Sequence, residues 1–426
     1  MLKTHTQHLL FSLSLSIFCL NLFAQNEISS PYSNYGVGLY SNVTSGMYDA
    51  MGKVGYALQD PYQINFKNPA SYVAFDSLSF IADASFSIYS NSLANAEIKQ
   101  KATLAHPNYL TLGLPVTRHW RMSAGILPFS NLGYNIVQSI NQDNIGVVNY
   151  NYQGDGGLLQ LYWGNGFKLY DGLSLGFNIS YLFGRLTYMQ TAEFEGNNFY
   201  HSMVNNTTLI DGIYLSAGLQ YFATIKNNHK LGIGLVYENS AYIWTKEEQF
   251  LYNYSTIGGS DNVNDTSYYY EYKGNMQLPQ SVGAGLSYQY KNKLWVSADF
   301  KWHNWAQYYH NKESDERLQN TYITSLGVQF IPNATSTNYF KKIRIRAGVQ
   351  YSTGHILLNN HTISDYSISI GLGFPLKLYN NNSSLGVLFE YGQMGTIRND
   401  LIRENHFRIS FHFTLQEKWY QRVKLD

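Results

Sequence analysis

In the run "LWVSADFKW", Leu294, Val296, Ala298, Phe300 and Trp302 fall on one side of an extended chain, while Trp295, Ser297, Asp299 and Lys301 fall on the other. Side chains alternate in this way on a β-strand, whereas a helix would scatter both sets around its axis. The pattern returns in "KIRIRAGVQY", where Ile343, Ile345, Ala347, Val349 and Tyr351 oppose Arg344, Arg346, Gly348 and Gln350. It returns again in "HFRISFHFTL", with Phe407, Ile409, Phe411, Phe413 and Leu415 against Arg408, Ser410, His412 and Thr414. A soluble sandwich alternates too, but it seldom keeps glycine and charge so consistently on its inner face.

Composition says which medium the apolar face meets. Charged residues make up 13% of the chain, about half the usual soluble share, and aromatics reach 16% with 38 Tyr and 23 Phe. Mean hydropathy is nevertheless −0.27, and beyond the N-terminal leader no apolar run reaches the ~18 residues of a membrane helix. Such a profile in an exported chain is that of a transmembrane β-barrel, whose lipid face is spread over alternate residues. Export is read from the start. Lys3 precedes the short apolar run "HLLFSLSLSIFCL", and Ala24 offers a small residue before Gln25, so residues 1–24 are expected to be a cleaved signal peptide. Cys19, the one cysteine, lies in that run, which leaves the mature chain without disulfide or thiol chemistry. A formal net charge of +1 gives no footprint for nucleic acid.

From Leu78 to Leu415 the alternating segments add up to about fourteen strands, each near the ~9–11 residues that span an outer membrane or somewhat longer. Tight joints at "TRHW", "KLYDGL", "TIKNNHK", "YKNKL" and "LYNNNSS" alternate with longer stretches at Asn131–Asp155, Gln190–Thr208, Thr245–Gly274, Tyr309–Leu318 and Gly395–Ile402, which are expected to be loops. An even strand count with tight turns on one side is what a single-chain barrel requires, and it puts both barrel ends on the periplasmic side. The expected fold is thus all-β, a transmembrane antiparallel barrel with an N-terminal hatch in its lumen. Its expected divisions are a signal peptide at 1–24, a hatch at 25–77, the barrel at 78–415 and a periplasmic tail at 416–426.

The hatch is inferred from "GMYDAMGKVGYALQDPYQINFKNPASYVAFDS", Gly46 to Ser77, which carries no clean period. A barrel of about fourteen strands leaves a lumen that needs either water or a plug. Gly46, Gly52 and Gly55 allow close backbone approach, and Pro69 fixes its own φ and restricts Asn68. Met47, Met51, Val54, Tyr56 and Phe66 are too dense an apolar set for a disordered leader.

Within that stretch, "AMGKVGYALQDPYQINFKNPASY" resembles the hatch of the FadL/TodX long-chain fatty acid transporters of bacterial outer membranes, through Ala50, Gly52, Gly55, Ala57, Asp60, Asn68, Pro69 and Ala70. "AGILPFSNLGY" (Ala124–Tyr134) resembles that family's third strand, where a glycine–proline element breaks the ladder. "QLPQSVGAGLSY" (Gln277–Tyr288) resembles its Leu-Pro entry to a mid-barrel strand. The ending "DLIRENHFRISFHFTL" is similar to a Bacteroidetes-type branch, while the tail "QEKWYQRVKLD" departs from the usual aromatic last residue of a barrel. The resemblance implies fourteen strands, a lumen filled by the hatch, and passage of a hydrophobic ligand to a side opening near Gly125 and Pro128. Physical reasoning meets it at one residue. Pro128 cannot donate to a neighbouring strand, so its own strand is interrupted or at an edge, and a closed barrel has no edge. Pro128 either opens the wall or sits at the strand's outer end, beyond the bilayer.

Asp299, Lys301, Arg344, Arg346, Glu390, Arg408 and His412 fall on the expected inward face. They form either an ion-pair network that pins the hatch to the wall, since buried charges need partners, or a polar patch that holds a carboxylate head group. Phe250, Leu251, Tyr252, Tyr268, Tyr269, Tyr270 and Tyr272 share one long connection and form an outer groove or an interfacial aromatic girdle. The twelve His lack ligand spacing, Val263 spoils the calcium-loop echo in "SDNVNDTS", and no G-x-S-x-G occurs, so no metal, cofactor or enzymatic activity is expected. The expected function is passive uptake of a hydrophobic, fatty-acid-like small molecule across the outer membrane of a Gram-negative bacterium, with membrane lipid and that ligand as partners. Two further readings stand beside it: a barrel whose outer loops bind exported proteins, as in type IX secretion, and a sealed structural or adhesive barrel.

Overall fold

Alternation becomes sidedness in the folded chain. Val296 and Phe300 are 43% and 48% exposed on the outer surface, while Ser297, Asp299 and Lys301 between them are at most 5% exposed. The computed structural model describes residues 30–77, 79–195, 199–226, 228–257, 260–311, 313–376 and 382–418. The expected signal peptide and the tail from 419 onward lie outside the described residues.

Among the described residues sixteen long strands follow one another: β1 Ser79–Ala94, β2 Lys99–Pro115, β3 Trp120–Gln142, β4 Gly146–Tyr170, β5 Leu173–Phe194, β6 His201–Ile225, β7 His229–Glu238, β8 Ala241–Ile257, β9 Ser260–Leu278, β10 Ser281–Tyr290, β11 Leu294–His303, β12 Thr321–Phe330, β13 Arg344–Ser352, β14 Asp365–Pro375, β15 Ser384–Gly395 and β16 Arg403–Lys418. Fourteen of them close an antiparallel barrel. β1 to β7 pair in order, β10 joins β7 with Ser281 opposite Glu238, and β16 returns to β1 with Lys418 opposite Ser79. Closure gives each wall strand a neighbour on both sides, with the one break where β2 and β3 part beyond Leu110↔Ile126 among the described residues. The hairpin β8–β9 stands outside this count, and β8 pairs with the outer half of β6 from Gly212↔Ile243 to His201↔Tyr254.

Three expected loops are strands instead. Asn131–Asp155 lies almost wholly in β3 and β4, which stay paired as far as Gln142↔Gly146, and Gln190–Thr208 lies largely in β5 and β6. Thr245–Gly274 is the β8–β9 ribbon, paired out to Ile257↔Ser260 with two register shifts. Beyond the wall neither face of a ribbon meets lipid, so nothing selects a period of two, and pairing there leaves no trace in hydropathy. Tyr309–Leu318 holds a short hairpin, and Gly395–Ile402 is a true connection. The last strand also runs on to Lys418, past the expected barrel end at Leu415.

Residues Ser30 to Ser77 run along the inner side of the wall. Glycines on β14, β13, β12, β7, β6 and β5 mark the track: Gly371 meets Ala50, Gly348 meets Gly52, Gly327 meets Met51, Gly234 meets Tyr56, Gly218 meets Asn68 and Gly176 meets Pro69. A Cβ on any of these would fall inside van der Waals contact of the segment. The segment therefore travels round the barrel against the strand order, with its backbone laid directly on the wall.

Candidate functional site: the lumen and the seam beside Pro128

The resemblance residues become contacts in this track. Asn68 opens the 3₁₀ turn Pro69–Ala74: its Oδ1 accepts from the Ala70 backbone N–H at 3.1 Å, and its Nδ2 donates to the Tyr56 carbonyl at 2.7 Å. Gln220 of β6 donates to that same carbonyl at 2.7 Å. Gly52, at φ +70°, gives its N–H to Ser369 Oγ at 3.1 Å, and a side chain there would meet the Val349 backbone nitrogen at 2.7 Å. Glycine alone enters that conformation without strain. The Gly55 and Tyr56 N–H groups donate to Asp299 Oδ2 at 2.7 and 3.0 Å. Asp60 Oδ1 accepts from the Tyr62 backbone N–H at 2.8 Å.

The seven inward charged or polar residues separate into two groups. Arg408 donates to both carboxylate oxygens of Asp49 at 2.8 and 2.9 Å and to Glu390 at 2.7 Å. Lys53 and His406 lie 3.6 and 3.7 Å from the other Glu390 oxygen. Lys301 pairs with Glu238 at 2.7 Å and donates to the Tyr40 hydroxyl at 3.3 Å, while Lys67 stands 3.8 Å from Asp299. Arg344, Arg346 and His412 are different. Among the described residues Arg344 and Arg346 make no ion pair, and Arg344 reaches only the Met47 sulfur, at 3.9 Å. Arg346 Nε and Nη2 and both ring nitrogens of His412 are buried without a hydrogen-bond partner.

Gly125 and Pro128 sit at a seam. β2 and β3 pair only from Pro115↔Arg121 to Leu110↔Ile126, whereas β3 and β4 continue together to Gln142. Gly125 belongs to the last paired positions, where a Cβ would lie 2.5 Å from the Leu110 carbonyl oxygen. Past it, Pro128 pairs with Leu159 and the register slips before Ser130. A residue with no N–H to give is tolerated at such an interruption. Pro128 thus lies inside its strand rather than at the outer end. The N-terminal segment enters the seam: Leu39 and Tyr40 pair with Asn131 and Ser130, and the Ser41 N–H donates to the Phe129 carbonyl at 2.9 Å. Behind Pro128 lies a cavity of about 60 Å³ with mixed lining, aromatic and apolar at Phe66, Leu127, Phe129 and Tyr162 and polar at Gln160, Asn178, Ser216 and the Lys301–Glu238 pair.

At the end of the long connections lies an apolar cluster. Tyr32 and Val37 of the N-terminal segment pack with Leu132 and Leu158 of the wall and with Trp305, Leu318, Ile356 and Leu401 from the connections. The Tyr32 hydroxyl donates to the Ile402 carbonyl at 2.6 Å, and burial pushes that hydroxyl up to about 12, so it stays a donor.

Sequence reasoning missed Asp49, Lys53, Lys67, Glu238 and the Leu39–Tyr40 pairing. A charge in a segment bound for a lumen calls for an opposite charge on the wall, so the first three were readable as partners in general. Which wall residue each takes depends on the track of the segment, and no local signal carries that.

The BamG family model matches residues 1–426. The chain belongs to the BamG family. No curated protein sequence matches it. Among solved structures it is similar to a FadL homologue of Pseudomonas aeruginosa, at 12% identity over 91% of this chain and 100% of that one, with a TM-score of 0.59. It is similar to the Pseudomonas putida toluene transporter TodX at 14% identity, 88% and 98% coverage and a TM-score of 0.59. It is also similar to the Ralstonia pickettii toluene transporter TbuX at 12% identity, 88% and 97% coverage and a TM-score of 0.57. At such identities the likeness is one of fold: a FadL-like barrel, carried by a chain whose family is BamG.

Proposed function

We propose that this chain is an outer-membrane channel through which hydrophobic small molecules pass sideways, between the barrel interior and lipid, at the seam between β2 and β3. The observation that carries this reading is the short β2–β3 ladder, stopped beside Pro128 and filled by two residues of the N-terminal segment, with a small cavity of mixed lining behind it. The long connections would face the cell exterior and the tight turns the periplasm, after removal of residues 1–24. Ser30–Ser77 would act as the hatch, and the chain would stand in a Bacteroidetes-type branch of FadL-like barrels. A cavity of about 60 Å³ is well below the roughly 150 Å³ that holds a benzene ring. Cargo then enters only when Leu39–Val43 lifts from β3, and a two-residue pairing is a weak latch.

A cysteine pair tests the latch. Tyr40 and Ser130 are directly opposed, so Tyr40→Cys with Ser130→Cys should form a disulfide. Uptake of a labelled hydrophobic compound into cells should stop when the pair is oxidised and return on reduction. Equal uptake in both states overturns the reading.

One observation favours a second reading, a barrel that binds exported proteins. Among the described residues, β9 has no partner strand on the far side of Tyr268–Gly274, and Tyr268, Tyr270 and Tyr272 stack at 6.3 and 6.4 Å on one face. A free edge of this kind accepts an added strand. Replacing the three tyrosines by Ser should then release a co-purifying exported protein and leave uptake unchanged; retention of that protein counts against this second role.

A further inference from the structure

Three connections lie side by side at the tight-turn end of the barrel: 226–228 between β6 and β7, 291–293 between β10 and β11, and 331–343 between β12 and β13. Backbone bonds join them into one belt. The Lys291 N–H donates to the Asn228 carbonyl, the Ile331 N–H to the Lys293 carbonyl and the Asn333 N–H to the Lys341 carbonyl, each at 2.8 Å.

The belt is cationic. Lys226, Lys291, Lys293 and Lys341 are exposed along it, and the stretches 226–230, 290–294 and 331–343 contain no Asp or Glu. Asp60 reaches the belt from inside the barrel, where it shares a cavity with Asn292 and Lys342. Among the described residues none of the four exposed lysines makes an ion pair, whereas Lys168 has Asp171 of its own turn at 2.6 Å and Lys246 on the outer ribbon has Glu248 at 2.8 Å. Lys226 at φ +51° and Lys291 at φ +50° also occupy left-handed positions that glycine or asparagine enters with less strain. Charge is thus carried where backbone preference selects an uncharged residue.

The same lysines stand at the lipid-facing edge of the wall. Next to the buried Gln289 and Gln329, alternation turns Tyr290 and Phe330 outward. Lys291 Nζ is 5.5 Å from the centre of the Tyr290 ring, and Lys293 Nζ is 5.6 Å from that of Phe330. His229 adds its ring at 5.1 Å from Tyr290 and shares a hydrogen bond of 2.7 Å with the Tyr288 hydroxyl. Such rings sit at head-group depth in a bilayer, and a lysine lying along them puts its ammonium just beyond, at the level of the lipid phosphates. Unpaired ammoniums at that level attract head groups with net negative charge. An acidic soluble protein would meet them from the water side and make no use of the rings.

We propose that this belt holds anionic phospholipids of the adjoining leaflet, with the lipid phosphate against Lys291 and Lys293 and the neighbouring Lys226 and Lys341 adding attraction. The lipid is a fixed neighbour on the outside of the wall rather than cargo in the lumen, so the site stands whether or not the barrel conducts anything.

Native mass spectrometry of the full chain in an uncharged maltoside detergent tests this. Offered dioleoylphosphatidylglycerol and dioleoylphosphatidylcholine at equal concentration, the chain should retain the first in preference. Lys291→Gln together with Lys293→Gln should lower phosphatidylglycerol retention at least about fivefold and leave phosphatidylcholine retention unchanged. Lys246→Gln on the outer ribbon should alter neither. If the double variant does not fold, Lys341→Gln takes its place, with a smaller loss expected. The site is disproved if both lipids are retained equally or if the variant keeps the preference. It is also disproved if inorganic phosphate or a hexaglutamate peptide, at the lipid's own concentration, displaces phosphatidylglycerol, since the belt would then serve free anions or an acidic protein.

Discussion

Arg408 and Arg346 occupy inward positions of the same wall in opposite circumstances. Arg408 has both oxygens of Asp49 and one of Glu390 within 2.9 Å, and Arg346 has no carboxylate partner among the described residues. The difference lies in the N-terminal segment. It brings Asp49 to β16, but the acid it brings toward β13, Asp60, is already engaged with its own turn. A buried charge on this wall is satisfied only where the N-terminal segment or another strand carries the matching group.

The sharpest way to break this contrast is to remove each guanidinium in turn. Arg408→Gln leaves Asp49 and Glu390 short of a buried cation and should cost about 3–5 kcal/mol, read from urea unfolding in detergent. Arg346→Gln removes a buried charge without a carboxylate partner among the described residues, so the stability should stay level or rise. Equal losses in the two variants would mean that partner supply is not what separates them. Next in size come the wall glycines. Gly348→Ala drives a methyl into the Gly52 backbone and should cost about 1–3 kcal/mol. At Gly386 the nearest atom to a new Cβ is 3.5 Å away, so Gly386→Ala should change stability by no more than about 0.5 kcal/mol. A smaller effect is expected at Asn68→Ala, which loses the turn cap and the bond to Tyr56: about 1–2 kcal/mol in the same unfolding assay. Smallest of all, Tyr270→Ser on the exposed ribbon should shift the unfolding midpoint by an amount equivalent to less than about 0.5 kcal/mol, and it sharpens the contrast by showing what a side chain outside the lumen is worth.

How far the sequence could be read tracks where lipid is. β11, β13 and β16 were legible residue by residue, because lipid on one side and a polar lumen on the other impose a period of two on the side chains. The outer halves of β3 to β6 and the β8–β9 ribbon were read as loops because that asymmetry ends there, although the backbone goes on pairing. Asn68 and Gly52 were legible as special positions, the one before a proline and the other a glycine. That Asn68 would cap its own turn while holding the Tyr56 carbonyl was not, since the contact joins residues twelve apart through the path of an irregular chain. Pro128 announced an interrupted strand, and only the structure shows Leu39 and Tyr40 filling the interruption.

Taken alone, the sequence determines the barrel and its sidedness, since both follow from the local chemistry of neighbouring positions and the surroundings they face. Which lumen charges are matched and which are left over was decided by tertiary structure alone. Asp49 with Arg408 and Lys67 with Asp299 are pairings between distant stretches of chain. They exist because glycines on successive strands let one backbone lie on another along a single track, and a track is a property of the closed ring rather than of any segment in it.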